Sequence, residues 1–383
     1  MSDYKFQVHD MDIPDEPLAI SVLTGFLGSG KTTLLKELLQ HPDMDETAVI
    51  VNEFGEIGLD HLLVESSTED IVLMNSGCLC CTVRGDLVET IRKLYKQRLI
   101  QEVPAFNRIV IETTGLADPA PILQTLMSDP FLSDRFRLDG VIVTVDAING
   151  AETLTNHQES VKQAAVADRL LLTKTDLSQD KDFSDLLARL KDLNPTASVF
   201  KTAKGQIDPA QLFNAGLYNP ETKSLDVQNW LKAEAFDNEH NHSHAHDHNN
   251  HGHGHDQGHD HGHHHHHGHD HSHDVNRHDD KVHAFCLTHD KPLDWDQLNS
   301  WVDMLITLYG SNLLRIKGLL NIEGDKNPIV IHGVQHVFHP PVMLENWPDS
   351  DRRSKIVFIV KDLKKEMFED TFKAFMEQSE DLI

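Results

Sequence analysis

The sequence predicts an α/β fold: a mainly parallel sheet flanked by helices, followed by a smaller C-terminal α+β domain. Three observations carry that prediction. Short runs rich in Val, Ile and Leu recur between residues 18 and 230, separated by stretches of helical character. Residues 231–281 then lose every feature of a packed core. From residue 282 a second set of apolar runs resumes and continues to the end of the 383-residue chain.

Taken in order, residues 1–17 form a polar, acidic tail with no secretory signal pattern. AISVLTGF (19–26), TAVIVNEF (47–54), RIVIETTG (108–115), GVIVTVDA (140–147) and RLLLTKTD (169–176) read as strands ending near small or acidic residues. Lys31 to Gln40 and Asp86 to Arg98 read as helices between them. Residues 237–280 hold nineteen of the chain's 28 histidines, mixed with Asp, Asn and Gly, and read as a disordered linker. Beyond it, VHAFCLT (282–288) reads as a strand. Asp294 is placed to cap a helix with Leu298, Trp301, Val302, Leu305 and Ile306 on one face. LLRIKGLLNIEG (313–324), NPIVIHGVQHVF (327–338) and SKIVFIVKDL (354–363) read as further strands, and a helix follows from about Leu363. The domains expected are therefore 18–230 and 282–383.

Charge narrows the function. A formal net charge of −27 argues against general affinity for DNA, RNA or anionic lipid. No apolar run approaches the ~20 residues of a membrane helix. A cytoplasmic, soluble chain is expected. A phosphate ligand stays open, because backbone N–H groups and one lysine can hold it.

Gly25-Phe26-Leu27-Gly28-Ser29-Gly30-Lys31-Thr32 fits G-x-x-x-x-G-K-[ST], with a strand before it and a helix after it. The glycines let N–H groups turn toward phosphate oxygens. Lys31 is expected to reach the β- and γ-phosphates, and the Thr32 hydroxyl to ligate Mg²⁺. Glu112 ends an apolar strand, where a Walker B carboxylate aids the same ion, and Gly115 would let the backbone approach the γ-phosphate. Thr173-Lys174-Thr175-Asp176 approximates the N-K-x-D sequence that reads guanine. An Asp carboxylate accepts from guanine N1–H and the N2 amine, a donor pair adenine lacks. Thr173 replaces the usual Asn, so guanine preference rests mainly on Asp176. The loop 201–205 stands where a further base-contacting segment would come.

Cys78, Cys80 and Cys81 fall within four positions, and the fourth cysteine, Cys286, is remote. That is no disulfide framework. Thiolates suit Zn²⁺, Cu(I) or Fe–S chemistry, and three of them leave a fourth position on a tetrahedral ion. Buried apolar thiols and a redox pair are the competing readings.

GFLGSGKTTLL (25–35), NEFGEIGLD (52–60), GCLCCTVRGDL (77–87), ETTGLADP (112–119) and TKTD (173–176), in this order, resemble the CobW-like family of P-loop GTPases. Residues 282–363 resemble that family's C-terminal domain. The resemblance implies a GTP-hydrolysing metallochaperone that passes zinc to a client metalloprotein, with some relatives serving cobalt or iron enzymes. It implies phosphate contacts from Gly28 to Thr33, Mg²⁺ aided by Glu112, a base read by Lys174 and Asp176, and metal bound by Cys78, Cys80 and Cys81. Asn52 to Asp60 would be the first switch, with Glu53 and Glu56 as carboxylates near Mg²⁺ or the transferred metal. Thr113 to Asp118 would be the second. Nucleotide-dependent homodimers are common among related NTPases. Glu56, Asp60 and Asp118 are candidates for orienting the attacking water. Zinc storage with a vestigial nucleotide site is the alternative, and the histidine tract reads as an accessory metal reservoir. His332 and His336 read as surface or core residues rather than ligands, and Trp295 and Trp301 as core.

Overall fold

The computed structural model describes residues 14, 16–52, 71–73, 79–82, 86–177, 182–213 and 282–377. Glu53, Glu56, Asp60, Cys78 and the expected linker lie outside these residues, as does most of the N-terminal tail.

The first unit is built on an eight-stranded sheet of order β3-β4-β2-β5-β1-β6-β7-β8. Its strands are β1 (Leu18–Gly25), β2 (Thr47–Asn52), β3 (Ile71–Leu73), β4 (Leu79–Thr82), β5 (Arg108–Thr113), β6 (Phe136–Asp146), β7 (Arg169–Thr173) and β8 (Ser198–Lys201). All neighbours pair parallel except β3 with β4. Every residue of β1 and of β7 is buried, as strands covered on both faces must be.

Alternation along the strands divides the core in two. Leu23, Val49, Val51, Val110, Ile142 and Leu171 pack with α1 (Lys31–Leu38). Their sequence neighbours Val22, Ile50, Ile109, Ile111, Val143 and Leu170 face the other side. There they meet α2 (Leu87–Leu99), α3 (Ala120–Ser128), α4 (Pro130–Arg135), α5 (Gly150–Asn156), α6 (Gln158–Val166) and α7 (Ser184–Leu193). The Asp86 carboxylate accepts from the Val88 N–H and starts α2. α1 stops two residues short of the expected Gln40 because Pro42 disfavours helix at His41. The three- and four-residue strands β3 and β4 were not expected from the sequence.

The second unit pairs β9 (Val282–His289), β10 (Leu313–Leu320), β11 (Ile329–Val334), β12 (Val337–Phe338) and β14 (Ser354–Lys361) in the antiparallel order β12-β11-β10-β14-β9, with β13 (Val342–Met343) on β11. One face carries Phe285, Ile316, Ile356 and Phe358 against α8 (Trp295–Tyr309) and α9 (Lys365–Glu377). Asp294 caps α8 through the Gln297 N–H at 2.9 Å, and Trp301 is wholly buried. The opposite face sends Leu314, Val334 and Ile359 into the core of the first unit.

Docking follows from that shared core. α6 packs on β10, α3 on β11 and β12, and α7 on β9. At the seam, the Asp168 carboxylate takes Arg315 at 2.6 Å and Lys317 at 2.9 Å. No helix among the described residues is long and apolar enough to cross a membrane.

Candidate functional site

The loops at the C-terminal edge of the first sheet gather the motif residues. Between β1 and α1 the chain bends through Gly28 (φ 71°) and Gly30 (φ 94°), a left-handed conformation that costs glycine little. A Cβ on Gly30 would touch Thr173 at 3.4 Å, whereas one on Gly28 would meet nothing within 4 Å. Gly28 therefore faces open space, and Gly30 is pressed onto the end of β7. Lys31 folds over its own loop, its Nζ donating to the Gly25 carbonyl at 2.8 Å and the Phe26 carbonyl at 3.3 Å.

Behind the loop lies a buried hydroxyl network. Ser29 Oγ and Thr144 Oγ1 share a hydrogen bond of 2.6 Å, and Thr113 Oγ1 donates to Thr24 Oγ1 at 2.7 Å. Ser29 is thus turned inward, and its N–H donates to the Phe26 carbonyl at 3.0 Å. The Thr32 hydroxyl donates to Glu112 Oε1 at 3.3 Å, bringing first helix and Walker B strand together. Two oxygen donors converging beside a phosphate loop fit Mg²⁺, a hard ion that keeps few protein ligands.

Thr173 is 4 % exposed, and its hydroxyl donates to the Ser29 carbonyl at 2.6 Å and the Val145 carbonyl at 3.2 Å. It holds the phosphate loop from beneath. Lys174 has φ 58° and reaches Asp146 Oδ2 at 2.7 Å. Burial works to raise the Asp146 carboxyl, but Lys174 and the Ile148 and Asn149 amides hold it below the ordinary range. Asp176 is exposed and accepts from the Lys204 N–H at 3.3 Å, so the 201–205 loop does lie beside it.

Gly115 runs against the phosphate loop: a Cβ there would lie 2.7 Å from the Leu27 nitrogen. Behind Gly115 stands α6. Gln163 donates to the Gly115 and Ala117 carbonyls, and Lys162 pairs with Asp118 at 2.9 Å.

Cys80 and Cys81 lie on β4, opposite Val49 and Ile50 of β2. Among the described residues no three His, Cys, Asp or Glu gather as a metal site would require. His332 sits on β11 near the Asp168 seam, and a Cβ on Gly310 would collide with His336.

Sequence reasoning missed Asp146, Lys162, Gln163 and Asp168. Asp146 ends an apolar strand just as Glu112 does, and that signal was available. The others act through partners far away in the chain.

Two family models match: the CobW/HypB/UreG nucleotide-binding domain over residues 19–201, and the cobalamin synthesis protein cobW C-terminal domain over residues 282–376. The chain is 31% identical over 356 residues to the zinc chaperone YjiA of Escherichia coli, covering 93% of this chain and 98% of that one. It is 32% identical over 231 residues to the zinc-regulated GTPase metalloprotein activator 1 of Schizosaccharomyces pombe, covering 58% and 54% respectively. The crystal structure of Zn(II)-bound YjiA GTPase from E. coli matches with a TM-score of 0.67 at 29% identity, covering 94% of this chain and 99% of that one.

Proposed function

The chain belongs to the CobW family, and from that premise we propose that it is a GTP-hydrolysing zinc chaperone whose nucleotide state controls its hold on the metal. The observation that carries this reading is one of register. Val51 of β2 lies between Thr82 of β4 and Glu112 of β5. The strand of Cys80 and Cys81 is therefore two strand spacings, about 10 Å, from the Walker B strand. A ligand that shifts the edge of one strand is felt by the other.

Gly28 to Thr33 cradle the phosphates with backbone N–H groups at the start of α1, where the helix dipole favours an anion. Lys31, released from the Gly25 and Phe26 carbonyls, neutralises the β- and γ-phosphates. Thr32 and Glu112 would hold Mg²⁺, which supplies charge neutralisation across the same oxygens. Asp176 selects guanine, Lys174 lies along the base, and Thr173 supports the loop. Cys78, Cys80 and Cys81, with Glu56, take the zinc cargo for a client metalloprotein.

A nucleotide-dependent homodimer is part of the proposal. Leu27, Leu116, Ile148 and Leu177 are 47–65 % exposed, and all four lie just beyond the C-terminal ends of β1, β5, β6 and β7. An apolar rim around a bound nucleotide is suited to burial against a second copy.

The test is a zinc competition titration on the nucleotide-free, GTP-analogue and GDP-bound chain. Coupling is reciprocal, so affinities should differ by the factor with which zinc changes nucleotide affinity, about 5–150-fold. Equal zinc affinity in all three states would sink nucleotide control.

A further inference from the structure

We infer that Gln163 is a positioning residue for GTP hydrolysis, setting the orientation of the segment 115–118 that follows the Walker B strand. The inference rests on the GTPase reading but not on zinc delivery.

Gln163 lies in the middle of α6 and is 0 % exposed. A carboxamide has two N–H bonds, and its nitrogen serves two carbonyls of one loop: Gly115 at 3.2 Å and Ala117 at 3.0 Å. The preceding residue of the helix adds a third tether. Lys162 holds Asp118 Oδ2 at 2.9 Å, while Asp118 Oδ1 accepts the Ala120 N–H at 3.0 Å and so begins α3.

Peptide geometry turns these tethers into an orientation. In a trans peptide the C=O and N–H point opposite ways. Drawing the Gly115 carbonyl toward α6 therefore sends the Leu116 N–H away from it. Drawing the Ala117 carbonyl the same way does the same to the Asp118 N–H. Both donors are aimed off the helix. On the other side Gly115 is already in contact with the phosphate loop at Leu27. The segment is pinned between the loop that binds phosphate and α6, whose Ser160 and Gln163 line the same cavity as Gly28 and Ser29. A donor fixed in advance stabilises developing charge without reorganising as the reaction proceeds.

Methionine has nearly the shape of glutamine and no N–H. In full-length Gln163→Met, the segment keeps its packing and loses its two tethers. The expected result is about a tenfold fall in kcat for GTP, from the loss of two hydrogen bonds, with GDP affinity within about twofold of wild type. Gln163→Leu, which also cannot donate, should behave alike. Lys162→Met removes the third tether from a partly exposed side chain that the core does not need, and should lower kcat about threefold.

Steady-state turnover, GDP titration and a melting curve on all four proteins decide the matter. An unchanged kcat in a folded Gln163→Met chain overturns the inference, and so does a fall in kcat matched by an equal fall in GDP affinity. If that variant does not fold, an unchanged kcat in Lys162→Met overturns it instead. Wild-type protein without GTP turnover refutes the GTPase reading and takes this inference with it, whereas turnover in wild type with no loss in the variants refutes this inference alone.

Discussion

Thr173 stands where guanine-reading loops usually have Asn, and its hydroxyl spends itself on the Ser29 and Val145 carbonyls. It supports the phosphate loop and leaves the base to its neighbours. Thr173→Val keeps the shape and strands a buried carbonyl. It should lower unfolding free energy by about 1–2 kcal/mol in denaturant titration, while the GTP-to-ATP preference stays as it was. Asp176→Asn should do the reverse. Its amide presents a donor to the guanine N1–H, so competition binding should show the GTP-to-ATP ratio falling by about 100-fold or more, with the melting temperature unchanged. Residues such as Lys31, Thr32 and Asp176 were legible because their meaning lies in local spacing. Gln163 and Asp168 were not, because their partners lie 46–48 and 147 positions away, and no local pattern encodes such a distance.

At the scale of elements, α6 is the least conspicuous helix in the sequence and among the best connected in the fold. Its core face is made of Ala164, Ala165 and Val166 beside the polar Ser160 and Gln163, a weak apolar stripe. Its C-terminal carbonyls are gathered by one side chain: Asn194, fully buried, donates to Ala164, Ala165 and Ala167 at 2.9–3.0 Å. That side chain also accepts from the Thr196 and Ala197 amides, ending α7 as it caps α6. Asn194→Ala should cost about 3 kcal/mol in chemical denaturation, since carbonyls and amides are both left buried and unmet. The strands of the parallel sheet were readable from their unbroken apolar runs. β3 and β4 were not, because strands of three or four residues give too short a run to distinguish from loop.

For the whole molecule, the decisive contact is the seam between the two sheets. The Asp168 side chain is 12 % exposed, with Arg315 at 3 % and Lys317 at 5 %. Burial works to raise the Asp168 carboxyl, but the two cations overcome it and hold it far below the ordinary range. Asp168→Asn removes the carboxylate charge that Arg315 and Lys317 share and should lose about 3–5 kcal/mol in denaturant titration. Acid attacks the same seam through its histidines. Burial, then Arg315, pushes His339 down to about 4, and burial, Arg315 and Lys317 hold His332 well below its ordinary value. The unfolded chain takes up these protons near pH 6.5, and the folded chain resists. Between about pH 6.5 and 4 the unfolded state binds more protons, so stability falls as pH falls. Melting temperatures across that window should decline, and His339→Gln should decline less steeply. The Asp168 ion pair itself persists until the pH drops below the ordinary carboxylate range. This seam also sets an order of events during synthesis. The ribosome adds Asp168 while Arg315 is still 147 residues from being made. At about 5–20 residues per second, the nascent first sheet waits roughly seven to thirty seconds with a carboxylate at its margin and nothing to cover it. Completion of the second sheet, rather than of the first, is the moment at which the helix behind the 115–118 segment gains its full support.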